Sequence, residues 1–317
     1  MLEIENIFVY VLLSEINKQY LRERLSPYGV RLLFRDKARD QDIERAILSS
    51  EVVFGNPPAK SLIGIESNLQ WIQLESTGFD AYQHIPIRAF LTNLHGYFAE
   101  PCAETVIAGI LALYRKINEL ILLKQHKTWV GSDIRPAMEL LRKKTVICLG
   151  SGTIARAVGK ILDAFQCNIT YYGHIHPEVT IHDRKTLLNV LPNTDILIDT
   201  LPGTVETAGF VDEAIFNAMK GQAVFVNIGR GSTVNEEALV KALHQHSIGG
   251  AVLDVYGTEP LAGDHPFWDC PNTILTQHTG GGSIGEERGK VDFFVDNFHR
   301  FIQGIPLNNV VTLEKGY

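Results

Sequence analysis

The chain has 317 residues, 45% of them hydrophobic and 21% charged, with a formal net charge of −7. That is a globular composition with length for about two domains, and its acidic balance argues against nucleic acid or an anionic membrane as a main partner. The longest uncharged apolar run, residues 106–114, is far short of the roughly 20 residues that span a bilayer. Four cysteines (Cys102, Cys148, Cys167, Cys270) make no CxxC pair and no metal-ligand spacing with histidine, so reduced buried thiols and no metal are expected. Glu3 and Glu5 stand where a secretory leader would be positive, and a soluble cytoplasmic protein is the default expectation.

In chain order, residues 7–13 read as a buried strand and 15–25 as a helix broken by Pro27-Tyr28-Gly29. Residues 30–34, 51–55 and 71–74 are further strands, with a short helix at 42–48. The last of these strands runs into Glu75-Ser76-Thr77-Gly78-Phe79-Asp80. Alternating strands and helices imply a parallel sheet with helices on its faces. Residues 1–98 therefore form an α/β domain, and it has no phosphate-binding fingerprint of its own. From Pro101 the pattern becomes one long amphipathic helix, 103 to about 127, with proline near its start and Glu104 in its first turn. Its apolar stripe (Val106, Ile107, Ile110, Leu111, Leu113 and onward) fits domain core or an oligomer interface. Residues 131–136 read as a surface loop.

Residues 145–172 are the centre of the chain. A buried strand, the turn Gly150-Ser151-Gly152-Thr153-Ile154-Ala155, a helix and a second strand follow in the order of a dinucleotide-binding βαβ unit. Gly150 allows the tight turn, Gly152 lets the backbone approach a pyrophosphate, and Ala155 keeps helix and strand close. The helix N-terminus then offers N–H groups to the phosphates. Four more strands follow, at 195–199, 223–227, 250–254 and 273–276. Each ends in a polar cluster, and open α/β sheets bind their ligands at those ends. A final helix, about 285–303, has Val291, Phe294, Val295, Phe298 and Phe301 on its apolar side.

Three of these strand ends supply reactive groups. Arg230 lies between two glycines, where a bare surface arginine is uncommon and a ligand-facing guanidinium suits the planar fork of a carboxylate. Glu259 sits in a loop that could equally hold a solvated carboxylate. His278 precedes three glycines and could protonate a substrate oxygen, a nearby glutamate favouring its charged form.

The series GSGTIA, NIGRG, DVYGTEP and HPFWDCPNTILTQHTGG resembles the D-isomer-specific 2-hydroxyacid dehydrogenase family over nearly the whole chain. The resemblance implies two Rossmann-like doubly wound α/β domains, with a cofactor domain (99–285) inserted into a substrate domain (1–98 plus 286–317) and the active site in the cleft. It implies that Arg230 and Glu259 are active-site residues and His278 the acid/base, and that Thr153, Ile154, Ile228, Arg230 and Asp254 lie along the cofactor. The strand-end residues Gly173, His174, Leu201, Pro202, Gly229, His278 and Gly280 complete the expected cofactor contacts, and Ser76-Thr77-Gly78, with Arg230 and His278, the substrate contacts. A homodimer is implied, and the long helix suits one.

Two departures stand out. Gln277 replaces the family's proline before the histidine. The second strand ends Tyr171-Tyr172-Gly173-His174-Ile175-His176, and the first acid comes only at Glu178. NAD enzymes place an acid about twenty residues after the glycine turn to hold the ribose 2′-hydroxyl. Without it, and with His174, His176 or Arg184 available, NADP is favoured over NAD. The expected activity is reduction of a small 2-keto acid (glyoxylate, hydroxypyruvate or pyruvate type) to the D-2-hydroxy acid. The alternative is a nucleotide-sensing, corepressor-like protein on the same fold without significant turnover. Formate dehydrogenase is disfavoured, because that group lacks the glutamate found at position 259.

Overall fold

The computed structural model describes residues 4–36, 40–63, 68–174 and 176–313. Glu3 and Ile175 lie outside the described residues. Short apolar runs form the strands, and in the first sheet successive side chains go to opposite faces. Ile7 and Val9 of β1 (Asn6–Val9) join one core and Phe8 the other. β1 is shorter than its apolar run. Past Val9, the N–H groups of both Tyr10 and Val11 donate to the single carbonyl of Phe54, which ends the ladder although Val11 and Leu13 stay buried.

Helix α1 (Glu15–Leu25) leads through a 3₁₀ turn to Gly29, left-handed at φ 67°, and into β2 (Arg31–Phe34). Then come α2 (Asp40–Leu48), β3 (Val52–Phe54), β4 (Trp71–Gln73) and a strand the sequence pattern does not flag, β5 (Phe90–Thr92). These five strands are parallel, in the order β2-β1-β3-β4-β5.

The expected single helix from 103 to about 127 is two helices, α3 (Ala99–Tyr114) and α4 (Ile117–Gln125). Lys116 is left-handed at φ 57°, and the N–H groups of Arg115 and Lys116 turn back to the carbonyls of Leu111 and Leu113 respectively. The apolar spacing continues through the break, so periodicity alone could not show it. Pro101 lies in the first turn of α3, where its missing N–H costs nothing. Val106, Ile107, Ile110 and Leu113 of α3 are buried, whereas Ile117, Leu120, Ile121 and Leu122 of α4 are exposed.

The central unit is β6 (Thr145–Leu149), α5 (Thr153–Ala164) and β7 (Asn168–Tyr172), extended by a short edge strand β8 (Val179–Ile181) absent from the sequence reading. Next are α6 (Arg184–Val190), β9 (Ile196–Asp199), α7 (Glu213–Ala218), β10 (Val224–Asn227), α8 (Glu236–His244), β11 (Gly250–Leu253) and β12 (Thr273–Leu275). The second sheet is parallel throughout, in the order β12-β11-β10-β9-β6-β7-β8. The direction of winding reverses between β6 and β9, the topological switch point where such sheets bind dinucleotides.

By packing, the chain divides into Met1–Tyr97 with Ser283–Tyr317, and Phe98–Gly282. The last helix, α9 (Glu286–Ile302), belongs to the first of these units. Phe294 stacks on Phe54 at 4.4 Å and on Trp71 at 5.2 Å, both nearly coplanar. Beside them runs a satisfied buried polar chain. Trp71 Nε1 donates to Thr92 Oγ1 (2.8 Å), Thr92 Oγ1 to Gln73 Oε1 (2.8 Å), and Asn297 Nδ2 to Gln73 Oε1 (2.9 Å). Among the described residues no helix is long and apolar enough to cross a membrane.

Phe294→Ala removes the ring that two aromatic partners clamp, and should destabilise this unit by about 3–5 kcal/mol. Denaturant unfolding followed by tryptophan fluorescence checks it, and a loss below about 1 kcal/mol would show that the stack contributes little.

Candidate active site

The site is assembled where strands end. Gly150, at φ 98°, has no room for a side chain, since a Cβ would lie 2.7 Å from Thr200 Oγ1. A Cβ on Gly152, by contrast, would meet nothing within 4 Å. That open space lies before the first turn of α5, whose N–H groups have no side-chain cap, so the turn fits a dinucleotide pyrophosphate. Thr153 and Ile154 open this helix. Close approach of α5 to β7 depends on a glycine the fingerprint does not include. A Cβ on Gly159 would sit 2.1 Å from the Tyr171 hydroxyl.

After β7, Gly173 donates its N–H to Ile181 (3.0 Å) and His174 is exposed. Arg184 is engaged elsewhere, donating to the Phe210 carbonyl (2.7 Å) and to Asp212 Oδ1 (2.6 Å). A cation that does reach this strand end is Arg156 of α5, whose Nη1 is 3.4 Å from His176 Nε2. Sequence reading passed over Arg156 because it lies inside the helix. The signal was there, since a helical side chain leans toward the N-terminus and Arg156 is one turn past Gly152.

After β9, Leu201 is buried, and the Pro202 carbonyl accepts from the Thr207 hydroxyl at 2.5 Å. After β10, Ile228 is buried, Asn227 Oδ1 accepts the Gly229 N–H (3.0 Å) and Asn227 Nδ2 donates to the Arg230 carbonyl (3.0 Å). Backbone contact dictates both glycines around Arg230. A Cβ on Gly229 would be 2.7 Å from the Leu201 carbonyl oxygen, and one on Gly231 would be 1.9 Å from the Tyr256 carbonyl carbon. The half-buried Arg230 side chain donates from Nη1 to the Gly229 carbonyl at 2.7 Å.

After β11, Asp254 is buried and turns its carboxylate into the loop beyond β12. It accepts from the Thr276 hydroxyl (2.5 Å) and from the N–H groups of Thr279 and Gly280 (both 3.0 Å). The Asp254 carbonyl also accepts the N–H of His278 (2.8 Å), which is held left-handed at φ 54°. Gln277 beside it is exposed. His278 Nδ1 is 2.7 Å from Glu259 Oε2, while Glu259 Oε1 accepts the Tyr256 N–H at 3.0 Å. A carboxylate can only accept, so Nδ1 carries the proton and Nε2 is the ring's other proton position. Cys102, near the charges of Asp254 and Arg230, has its thiol pushed up to about 12, chiefly by burial, and stays neutral. Among the described residues no group of three or more His, Cys, Asp or Glu could hold a metal.

Ser76, Thr77 and Gly78 belong to the other unit. Their loop is braced internally. Ser76 Oγ donates to the Gly78 carbonyl (2.7 Å), Asn93 Nδ2 to the Thr77 carbonyl (2.6 Å), and Asn56 Nδ2 to Ser76 Oγ (3.0 Å). Among the described residues the N–H groups of Thr77 and Gly78 have no acceptor, leaving two donors for an anion.

Residues 107–280 match the family described as D-isomer specific 2-hydroxyacid dehydrogenase, NAD binding domain. The chain is 31% identical to glyoxylate/hydroxypyruvate reductase A of Arabidopsis thaliana, covering 82% of this chain and 84% of that protein. It is 34% identical to the glyoxylate reductase of Aeropyrum pernix, over 71% of this chain and 70% of that one. In three dimensions it resembles a D-isomer specific 2-hydroxyacid dehydrogenase family protein from Aeromonas salmonicida. The TM-score is 0.83 at 26% identity, covering 98% of this chain and 99% of the other.

Proposed function

The chain belongs to the D-isomer specific 2-hydroxyacid dehydrogenase family of NAD(P)-dependent oxidoreductases, and on that premise we propose that it reduces a small 2-keto acid to the D-2-hydroxy acid with NADPH. The observation that carries this reading is the 2.7 Å contact of Glu259 with His278 Nδ1, which holds the ring and supports Nε2 as the atom that exchanges the proton. The similarity to glyoxylate and hydroxypyruvate reductases supports a compact substrate of the glyoxylate, hydroxypyruvate or pyruvate type.

In this reading Phe98–Gly282 is the dinucleotide-binding unit and the other unit binds substrate. The free N–H groups of Thr77 and Gly78 receive the substrate carboxylate, and Arg230 orients the substrate and polarises its keto oxygen. Bound NADPH supplies the hydride. Protonated His278 gives its Nε2 proton to the keto oxygen as charge develops there, and Glu259 stabilises the imidazolium beforehand. Oxidation of the hydroxy acid runs the same proton in reverse and needs the neutral ring. Gly150, Gly152, Thr153 and Ile154 cradle the pyrophosphate. Leu201, Pro202, Ile228, Gly229, Asp254 and Gly280 border the rest of the cofactor.

The preference for NADP rests on the end of β7. The described residues there hold no acid before Glu178, and Arg156, whose Nη1 approaches His176, supplies positive charge where a ribose 2′-phosphate would reach. The exposed apolar residues of α4 suit the interface of a cytoplasmic homodimer, and a monomer in light scattering would remove that part.

A panel of 2-keto acids assayed with NADPH and NADH tests the activity, and a chain that binds nucleotide but turns over none of them would instead fit a sensing role. Arg230→Lys keeps the charge but loses the planar fork. Its kcat/KM should fall at least about a hundredfold, on the order of 3 kcal/mol, with coenzyme affinity much less affected. A Lys variant as active as the wild type would take Arg230 out of the chemistry. Arg156→Ala should weaken NADPH about tenfold in a fluorescence titration, about 1.4 kcal/mol, and leave NADH nearly as it was. Equal effects on both coenzymes would deny Arg156 a role at the 2′-position.

A further inference from the structure

Asp199 ends β9 with no exposed surface and joins two loops of the site. Its Oδ1 accepts the N–H of Leu201 at 2.9 Å, and its Oδ2 is 2.5 Å from the Thr233 hydroxyl. Thr233 Oγ1 is also 2.7 Å from the carbonyl oxygen of Arg230. A hydroxyl has one proton, and here it faces two oxygens. With Asp199 ionised, that proton serves one contact, and the other sets oxygen against oxygen. With a proton on Oδ2, the acid donates to Thr233 Oγ1, Thr233 donates to Arg230, and each contact has its own hydrogen.

We infer that Asp199 is a buried neutral acid which, through Thr233, holds the main chain of Arg230 in place. Both are positioning residues, one step removed from the substrate. The Arg230 carbonyl is otherwise held by Asn227 Nδ2 (3.0 Å) and the Thr233 N–H (3.3 Å), so the hydroxyl adds its shortest bond. The same carboxyl fixes Leu201, whose carbonyl Gly229 abuts, so the loops after β9 and β10 share one anchor.

Burial pushes the Asp199 carboxyl up to about 7, against a smaller opposite pull from its bonds to Thr233 and Leu201. No charged neighbour contributes. In register beside it are Leu149 of β6 and Asn227 of β10, neither ionisable. Cys148, the preceding residue of β6, is fully buried with its thiol pushed up to about 12 and uncharged. Arg184, Asp212, Glu213 and Glu236, at the starts of α6, α7 and α8, are partly exposed, and none acts on the carboxyl. An acid whose folded-state pKa is raised binds its proton more tightly when folded. Its stabilising effect is therefore complete below about pH 4, the unfolded value, and is lost as pH rises through about 7.

The kinetic consequence rests on the role proposed for Arg230, whereas the proton itself can be read without turnover. Asp199→Asn is the test, since its Oδ1 can accept from Leu201 and its Nδ2 can donate to Thr233 at every pH. The infrared difference spectrum, wild type minus Asp199→Asn, should show a protonated carboxylic acid band at about pH 5.5 that disappears by about pH 8.5. Across the same interval the wild type should lose melting temperature relative to the variant. Its kcat/KM for the keto acid should fall relative to the variant by about tenfold, a hydrogen bond's worth. Thr233→Val should reproduce the kinetic loss at low pH, and Thr233→Ser should restore it. Absence of the acid band, or melting curves that stay parallel, would overturn the neutral acid. A band with parallel rate profiles would overturn the positioning of Arg230. If Asp199→Asn does not fold, the two Thr233 variants carry the same comparison, and a fully active Thr233→Val would end the proposal.

Discussion

The site depends on how tightly four strand-end loops are pressed together. Gly229 lies against the Leu201 carbonyl, Gly231 against Tyr256, and Gly280 against the side chains of Ile228 and Asp254, each closer than any Cβ would allow. The parallel sheet imposes this. Neighbouring strands stand about 4.8 Å apart, so the loops leaving one edge of the sheet must share a narrow strip. Arg230 therefore emerges between two glycines because its flanking backbone has no other place to go. Its side chain is left as the bulk that can face outward.

The same crowding separates the fates of three carboxyl groups. Asp254 is buried but accepts a hydroxyl and two N–H groups, which anchor the loop after β12 to it. Asp199 is equally buried with fewer donors, and burial dominates. Glu259 is more exposed, with one oxygen on the Tyr256 N–H and the other on His278. Depth and donor count, rather than residue type, decide which carboxyl anchors a loop, which bridges two, and which serves the histidine.

Much of this was legible in the sequence. Glycine turns and polar clusters after short apolar runs mark strand ends, and Arg230, Glu259 and His278 all stand at such ends. Elements went unseen where the pattern carries no signal. β5 and β8 are three-residue edge strands, too short for a period, and β5 begins with an exposed phenylalanine. The helix break at Lys116 changes backbone angles without disturbing apolar spacing. Asp199 read as the polar end of a strand, because burial comes from the neighbouring loops and not from its own segment. Arg156 and Arg184 exchanged places as candidates for the same reason. Which one is already engaged depends on Asp212, 28 residues away.

His278 shows how a local cost becomes geometric control. A non-glycine residue in the left-handed region is disfavoured by roughly 1–2 kcal/mol. Here the N–H of His278 bonds the Asp254 carbonyl, and the next two N–H groups bond the Asp254 carboxylate. Three bonds from one residue hold three successive amides and offset that strain. The imidazole is thereby aimed by backbone rather than by side-chain packing, and the ring stays half-exposed. Glu259 then needs only to fix the tautomer, from a loop that the Tyr256 N–H already orients.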